Sequence, residues 1–426
     1  MNSVKKRIMM LISLVLCLSS ILSAVGCTNV DVSTETGADS GIVGDSDTNP
    51  TEKPTEKPTE KPTEKKTTAK EKETDPVPGK TQTTEKLSEK TYTFANMPAS
   101  QQKLFKMSTR VQPNADGLIF DYTCATIEFQ GYMTGDVIVE INSKKNADYG
   151  DSYFTVYVDG RRSSTRFEVK NGKTEKLKVA SFDGKFFHTI KIVKQTEFKW
   201  SLATIKSLEI KGYLIDAPKK NDYYIEFLGD SLTAAYGNIG KPGDEPSDSP
   251  KYQDGTKSYA YMLADTIGAD QFILARSAAG ISKCWSNDPI LDYYKKLSKN
   301  RSSDDFDVAN ARKPDLIVLH LGANDYNVGG SNETNFVSKG KELINYFREV
   351  YGKDLPIIWA YDPGEGFPSK VKEIMNSFGG ESAGYYTVAL EWRDIGAGAG
   401  GHPSVAAYEA HAEIILDLIL SKNILK

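Results

Sequence analysis

Hydrophobic and polar positions divide the chain into stretches with different periods. Residues 8–25 are almost uniformly apolar, whereas from Thr28 to about Lys90 there is almost no large apolar residue. From about 92 to 215 apolar and polar residues alternate, most clearly in Asp136-Val-Ile-Val-Glu-Ile141 and Tyr153-Phe-Thr-Val-Tyr-Val158. That period of two predicts half-buried strands, with others at Cys124–Phe129, Leu177–Ala180, His188–Val193 and Ile205–Leu214. Asp159-Gly160, Asn171-Gly172 and Asp183-Gly184 fall between such runs as tight-turn dipeptides. Roughly eight short strands at this spacing imply a sandwich of the jelly-roll kind.

From about 222 the pattern changes to short continuous apolar runs separated by amphipathic stretches. The runs are Tyr223–Leu228, Phe272–Ala275, Leu316–Leu321, Ile357–Tyr361 and Tyr386–Glu391. Tyr259, Met262, Leu263 and Ile267 recur at helical spacing, as do Phe336, Leu343, Ile344, Phe347 and Val350. Apolar strands alternating with helices predict a five-stranded parallel sheet covered on both faces. A last helix is predicted from Pro403 to about Leu420, with proline in its first turn.

The chain therefore divides into four parts: 1–26, a signal peptide; 27–90, a linker; 91–217, the all-β domain; 218–426, the α/β domain. Lys5, Lys6 and Arg7 precede the apolar run, which ends at Ala24-Val25-Gly26-Cys27. Small residues before a cysteine resemble a bacterial lipobox, which implies lipidation of Cys27 and a tether to the outer face of the cell membrane. Ordinary cleavage after a small residue, leaving a secreted protein, is the alternative. In the linker, Thr51 to Lys65 repeats Thr-Glu-Lys-Pro. Too little apolar surface is present there to offset the entropy of ordering, so a disordered spacer is expected.

Charge and cysteines narrow the classes further. A net charge of -4 gives no reason to expect a nucleic-acid partner. The 22 tyrosines suit a carbohydrate-facing protein, but they suit an all-β core equally. Cys124 and Cys284 fall in different domains, without metal-ligand spacing, and both read as small buried apolar residues. His188, His320 and His411 do not converge in the pattern, so no metal site and no cofactor are expected.

Ligands of a doubly wound sheet bind outside the carboxyl ends of its strands. Gly229-Asp230-Ser231-Leu232, Ser277-Ala278-Ala279-Gly280 and Gly322-Ala323-Asn324-Asp325 end the first three strands, and His402-Pro403 follows the fifth. Singly each is an ordinary turn. Together they supply what acyl transfer needs: a Ser231 hydroxyl, His402 as its base, and an oxyanion hole. Its donors are the N–H groups of Ser231 and Gly280 and the side-chain amide of Asn324. Asp230 and Asp325 read as turn-stabilising acceptors. Trp285, Trp359 and Trp392 are candidates for stacking on sugar rings, Trp285 and Trp392 lying nearest the cleft loops; core packing is as good a reading of each.

In those four blocks the chain resembles the SGNH (GDSL-type) hydrolases, named for the residues that Ser231, Gly280, Asn324 and His402 match in order. The stretch Tyr153 to Lys194, with Val158-Asp-Gly160 and His188-Thr-Ile-Lys-Ile-Val-Lys194, resembles the jelly-roll domain of carbohydrate esterase family 2. Pro314-Asp-Leu-Ile-Val-Leu-His-Leu-Gly-Ala-Asn-Asp325 is similar to that family too. The resemblance spans residues 92–426 and implies a flavodoxin-like SGNH domain behind the jelly roll. It implies a carboxylic ester hydrolase, like an acetyl xylan esterase, that removes acetyl groups from plant polysaccharides, favouring the 6-position of glucosyl or mannosyl units. Two departures stand out: Ala323 where threonine is usual, and Ala399 where the histidine's acid is usual. Some members of the family lack that acid and use a backbone carbonyl, so a Ser231–His402 dyad ranks above a triad through Asp394, eight residues upstream. Two rival functions remain: a carbohydrate-binding protein with weak catalysis, and an SGNH esterase for cell-envelope or lipid esters.

Overall fold

The computed structural model describes residues 75–145, 150–244, 250–282, 289–298, 305–328 and 332–426. The leader, Cys27, the Thr-Glu-Lys-Pro repeat, Cys284 and Trp285 lie outside the described residues. Among the described residues no helix is long and apolar enough to cross a membrane. The segment expected to stay disordered to residue 90 is tied down earlier than that. The Gly79 N–H donates to Phe187 O at 2.7 Å, the Phe187 N–H donates to Thr81 O at 2.8 Å, and Leu87 is buried. Its last residues, Glu89 and Lys90, already pair with Lys211 and Ile210 in a strand.

Ten strands of the β domain form one antiparallel network around Phe94, Phe105, Phe129, Val139, Phe154 and Ile192. Its frame is longer than the short strands expected. Cys124–Phe129 and Asp136–Ile141 fall along a single strand, Thr126–Ser143, and Leu177–Ala180 and His188–Val193 along another, Thr174–Lys194. These two pair over most of their length, with register shifts at Met133/Gly135 and Val137/Ile138 where the ribbon bends. Asp183-Gly184 sits in the first of these bulges, opposite Thr134, and not in a hairpin turn. Asp159-Gly160 does make the expected two-residue turn: Val158 pairs Arg161, and the φ angles of 51° and 77° at the central residues are those of type I′.

All five expected strands of the second domain are present, in the parallel order Ala269–Ala275, Tyr223–Gly229, Leu316–His320, Ile357–Tyr361, Tyr385–Ala389. Alternate residues of the strand Tyr223–Gly229 feed opposite faces. Tyr224 and Leu228 pack with Phe336, Phe347 and Ile374, while Ile225 and Phe227 pack with Leu263, Tyr408 and Ile415. The last helix spans Val405–Ser421 and is capped by the Ser404 hydroxyl, so Pro403 stands one residue outside the helix and not in its first turn.

The two domains share their cores. Tyr122, Phe198 and Leu202 of the β domain lie in one apolar cluster of the parallel sheet, and Cys124 and Val193 in the other. Thr123 bridges Ile273 on the sheet's edge strand. The Gly255 N–H donates to Gln195 O at 2.9 Å, and Arg162 donates to Asp254 and Thr256 at 2.6 and 2.7 Å. A Cβ on Gly255 would stand 2.6 Å from both Gln195 O and Thr123 Cγ2. Gly255→Ala is therefore expected to lower the guanidinium unfolding midpoint at unchanged m-value, by the equivalent of about 1–3 kcal/mol for an overpacked contact. A wild-type midpoint would show that the junction does not close at this point.

Candidate active site

The first strand delivers its C-terminal residues into a turn too tight for any side chain at Gly229, where a Cβ would lie 2.0 Å from Thr233 Oγ1. Asp230, fully buried, then caps a single helical turn, Ser231–Ala234, by accepting the Leu232 N–H at 2.9 Å. Ser231 is the first residue of that turn, half-buried, with its hydroxyl facing the cleft loops.

His402 arrives from the far side of the sheet on a glycine-rich loop that packs backbone against backbone on the turn after Ser231. The Ala399 N–H donates to Gly237 O at 2.9 Å, and a Cβ on Gly398 would lie 2.4 Å from that same oxygen. Gly400 and Gly401 take φ of 60° and 67°, left-handed conformations that favour glycine. The loop sets His402 Nε2 2.9 Å from Ser231 Oγ and His402 Nδ1 2.9 Å from Gly400 O. A carbonyl can only accept, so Nδ1 carries the proton and Nε2 is left as acceptor for the serine hydroxyl. The Tyr236 ring lies against the imidazole at 4.6 Å between centroids. Burial pulls the His402 pKa below the ordinary 6.5, with the Gly400 carbonyl pulling the other way.

The segments that carry the expected oxyanion donors meet at Asn324. Among the described residues no acceptor takes the N–H of Ser231 or of Gly280. Asn324 stands between these two segments: its amide donates to Asp230 Oδ2 at 3.1 Å and to Ala279 O at 2.9 Å. Both amide hydrogens are thereby engaged, and donation to an oxyanion requires the longer contact, to Asp230, to be shared. Asp325 does not merely stabilise its own turn. It accepts the N–H groups of Ile281 and Ser282 at 3.0 and 2.7 Å, on the far side of Gly280. Burial pushes the Asp230 carboxyl up to about 7, against the pull of the Leu232 and Asn324 donors.

Other sequence candidates stand apart from this group. Asp394 is exposed and makes no contact with His402; the Nδ1 position that a triad acid would take is filled by Gly400 O. The carboxylate whose charge reaches His402 is Glu365, paired with Arg393 at 3.1 Å. Trp392 is buried and donates its indole N–H to Asp362, and Trp359 is buried and donates to Leu321 O, so neither offers a face for stacking. His188 stacks on Phe182, and His320 is buried in the third strand with its pKa pushed down to about 3. His411 is buried in the last helix, and among the described residues no three potential ligands group around a metal position. Tyr236 and Glu365 were not legible as site residues, because only the path of the histidine loop brings them to His402.

Comparison with known proteins agrees with this arrangement of domains. The GDSL-like lipase/acylhydrolase family matches residues 225–415, and the carbohydrate esterase 2 N-terminal family matches residues 108–218. The cellulase/esterase CelE of Acetivibrio thermocellus is 31% identical over 290 residues, covering 64% of this chain. The chain spans 34% of the length of that curated relative. A family two carbohydrate esterase from Clostridium thermocellum, solved in complex with cellohexaose, superposes with a TM-score of 0.67 at 27% identity, over 75% of this chain and 99% of the other. An acetyl xylan esterase from Butyrivibrio proteoclasticus shares the fold, with a TM-score of 0.68 at 17% identity over 80% of this chain and all of the other (100%).

Two outcomes follow from the geometry around His402. Asp394→Asn is expected to keep turnover within about threefold of wild type, whereas loss of a true triad acid costs about 10⁴-fold. The kcat/KM profile is expected to fall on the acid side as neutral His402 takes a proton, with its midpoint below 6.5 because burial disfavours the charged form. A midpoint above 6.5 would show that burial does not govern the imidazole.

Proposed function

We propose that the chain is a serine esterase of carbohydrate esterase family 2 that removes O-acetyl groups from plant polysaccharides, a reading supported by the carbohydrate esterase 2 N-terminal match over residues 108–218 followed by the GDSL-like lipase/acylhydrolase match over residues 225–415. The observation that carries this reading is the 2.9 Å contact between Ser231 Oγ and a His402 whose other nitrogen is held by Gly400 O. In the first half-reaction Ser231 Oγ bonds to the acetyl carbonyl carbon while its proton passes to His402 Nε2. The negative charge gathers on the carbonyl oxygen, towards the N–H groups of Ser231 and Gly280 and the amide of Asn324. When that intermediate collapses, the bond to the sugar oxygen breaks and His402 returns the proton to it. In the second half a water attacks the acetyl-serine, giving its proton to His402; the bond to Ser231 Oγ then breaks, His402 returns the proton to that oxygen, and acetate leaves.

The substrate is an acetylated hemicellulose, with 6-O-acetyl glucosyl or mannosyl units, or acetylated xylan, as the candidates. The cellohexaose held by the Clostridium thermocellum relative supports a β-linked sugar chain in the cleft. The same reading puts the enzyme outside the cell, tethered by a lipid on Cys27 with the Thr-Glu-Lys-Pro segment as spacer.

Turnover of p-nitrophenyl acetate and acetate release from acetylated glucomannan and xylan test the proposal. Ser231→Ala and His402→Ala are each expected to lose about 10⁴- to 10⁶-fold in kcat, and the double variant no more than either, because the pair acts as a unit. Folded Ser231→Ala with wild-type turnover would remove the serine from its role, and a wild type without esterase activity that still binds oligosaccharide would favour the binding-protein reading.

A further inference from the structure

We propose that the β domain is part of the catalytic apparatus, and that its Glu197 is a positioning residue that sets the Gly280 donor of the oxyanion hole. The inference rests on the esterase reading above and extends it to a residue on the other domain.

Glu197 lies in the loop between the strands Thr174–Lys194 and Ala203–Leu214 of the β domain. Its side chain is fully buried, yet it reaches into the loop that ends the second strand of the parallel sheet. Glu197 Oε2 accepts the Ser277 N–H at 2.6 Å, and Oε1 accepts the Ser277 hydroxyl. Gln253 completes the cluster, donating to Glu197 Oε1 at 3.4 Å and accepting the Glu197 N–H at 3.1 Å. The same Gln253 amide donates at 2.8 Å to Ala234 O, the last residue of the turn that carries Ser231. One carboxylate is thus bonded to the oxyanion loop and, through one glutamine, to the nucleophile turn.

What Glu197 holds is a loop that closes one turn of its own, the Ala279 N–H donating to Arg276 O at 3.0 Å, around a strained residue. Ala278, next to Ser277, takes a φ of 72°, a left-handed conformation that non-glycine residues keep only when their surroundings impose it. Gly280 follows two residues later, and beyond it Asp325 grips the N–H groups of Ile281 and Ser282. The Gly280 N–H therefore lies between two clamps, one from each domain. The loop that carries Glu197 also places Trp200 against Tyr236 at 5.9 Å, and Tyr236 lies against His402. An oxyanion donor works only when aimed at the place where charge develops, so loosening one clamp weakens the transition state and leaves ground-state binding unchanged.

Glu197→Gln tests this in the full chain, because an amide sets an NH₂ against donors that now meet a carboxylate. With p-nitrophenyl acetate as substrate, kcat is expected to fall about 10²-fold, the order seen when one oxyanion donor is lost. KM should stay within about twofold and the acid limb of the pH profile near wild type, while the unfolding midpoint falls because buried donors lose a matched acceptor. Inhibition by a phenylboronic acid, which makes a tetrahedral adduct on a serine, should weaken by a similar factor. A folded Glu197→Gln with wild-type kcat overturns the inference. Should that variant not fold, Ser277→Ala removes only the hydroxyl bond and is expected to lose several-fold in kcat at constant KM; a wild-type kcat there overturns it equally. Esterase activity that survives Ser231→Ala would sink the functional reading and this one together, whereas Ser231-dependent activity indifferent to Glu197 sinks this one alone.

Discussion

Two carboxylates taken out of water hold the centre of this molecule, Glu197 from the β domain and Asp325 from the α/β domain. Burying a carboxylate costs several kcal/mol unless donors surround it closely. Here the donors are the backbone and hydroxyl of Ser277 on one side, and the backbone of Ile281 and Ser282 with the Ser282 hydroxyl on the other. Displacing the segment that bears Ala278 and Gly280 would strip donors from one carboxylate or the other. The domain junction inherits the same constraint, because Glu197 keeps its partners only while Phe198 and Leu202 stay packed in the core of the parallel sheet.

The histidine side of the site is organised by a different economy. Among the described residues no carboxylate bonds to the imidazole; its tautomer follows from Gly400 O, and its position from backbone contacts between residues 237 and 398–399. The glycines of this loop are there because the two segments approach too closely for side chains at Gly237 and Gly398. Close approach, in turn, lets a loop without regular structure place Nε2 within hydrogen-bond reach of Ser231.

The architecture was legible where residues report on their own surroundings. Continuous apolar runs marked all five parallel strands, and the Asp-Gly pair at 159–160 marked its hairpin. Asp183-Gly184 misled because a bulge and a hairpin ask for the same backbone freedom, and local sequence does not tell which is built. Ser231, Gly280, Asn324 and His402 stood out through spacing and resemblance, and the structure brings their segments together. Glu197, Tyr236 and Glu365 carried no such mark. Each reaches the site through the docking of a loop, and a glutamate beside phenylalanine and tryptophan reads from sequence as an ordinary loop end. Trp392 and Trp359 were left open between stacking and packing, since an aromatic near a cleft loop and one in the core look alike until the indole N–H finds its acceptor.

Orientation of His402 by a carbonyl also changes where the site is vulnerable to genetic drift. An acid three residues upstream would be one codon change from loss, whereas every amino acid at position 400 still brings a carbonyl with it. The sensitivity moves into the shape of the chain: Gly400 and Gly401, at φ of 60° and 67°, are where any Cβ costs about 1–2 kcal/mol of backbone strain. Lineages sharing this arrangement should therefore carry their signature as retained glycines and a fixed loop length, a record written in spacing and not in charge.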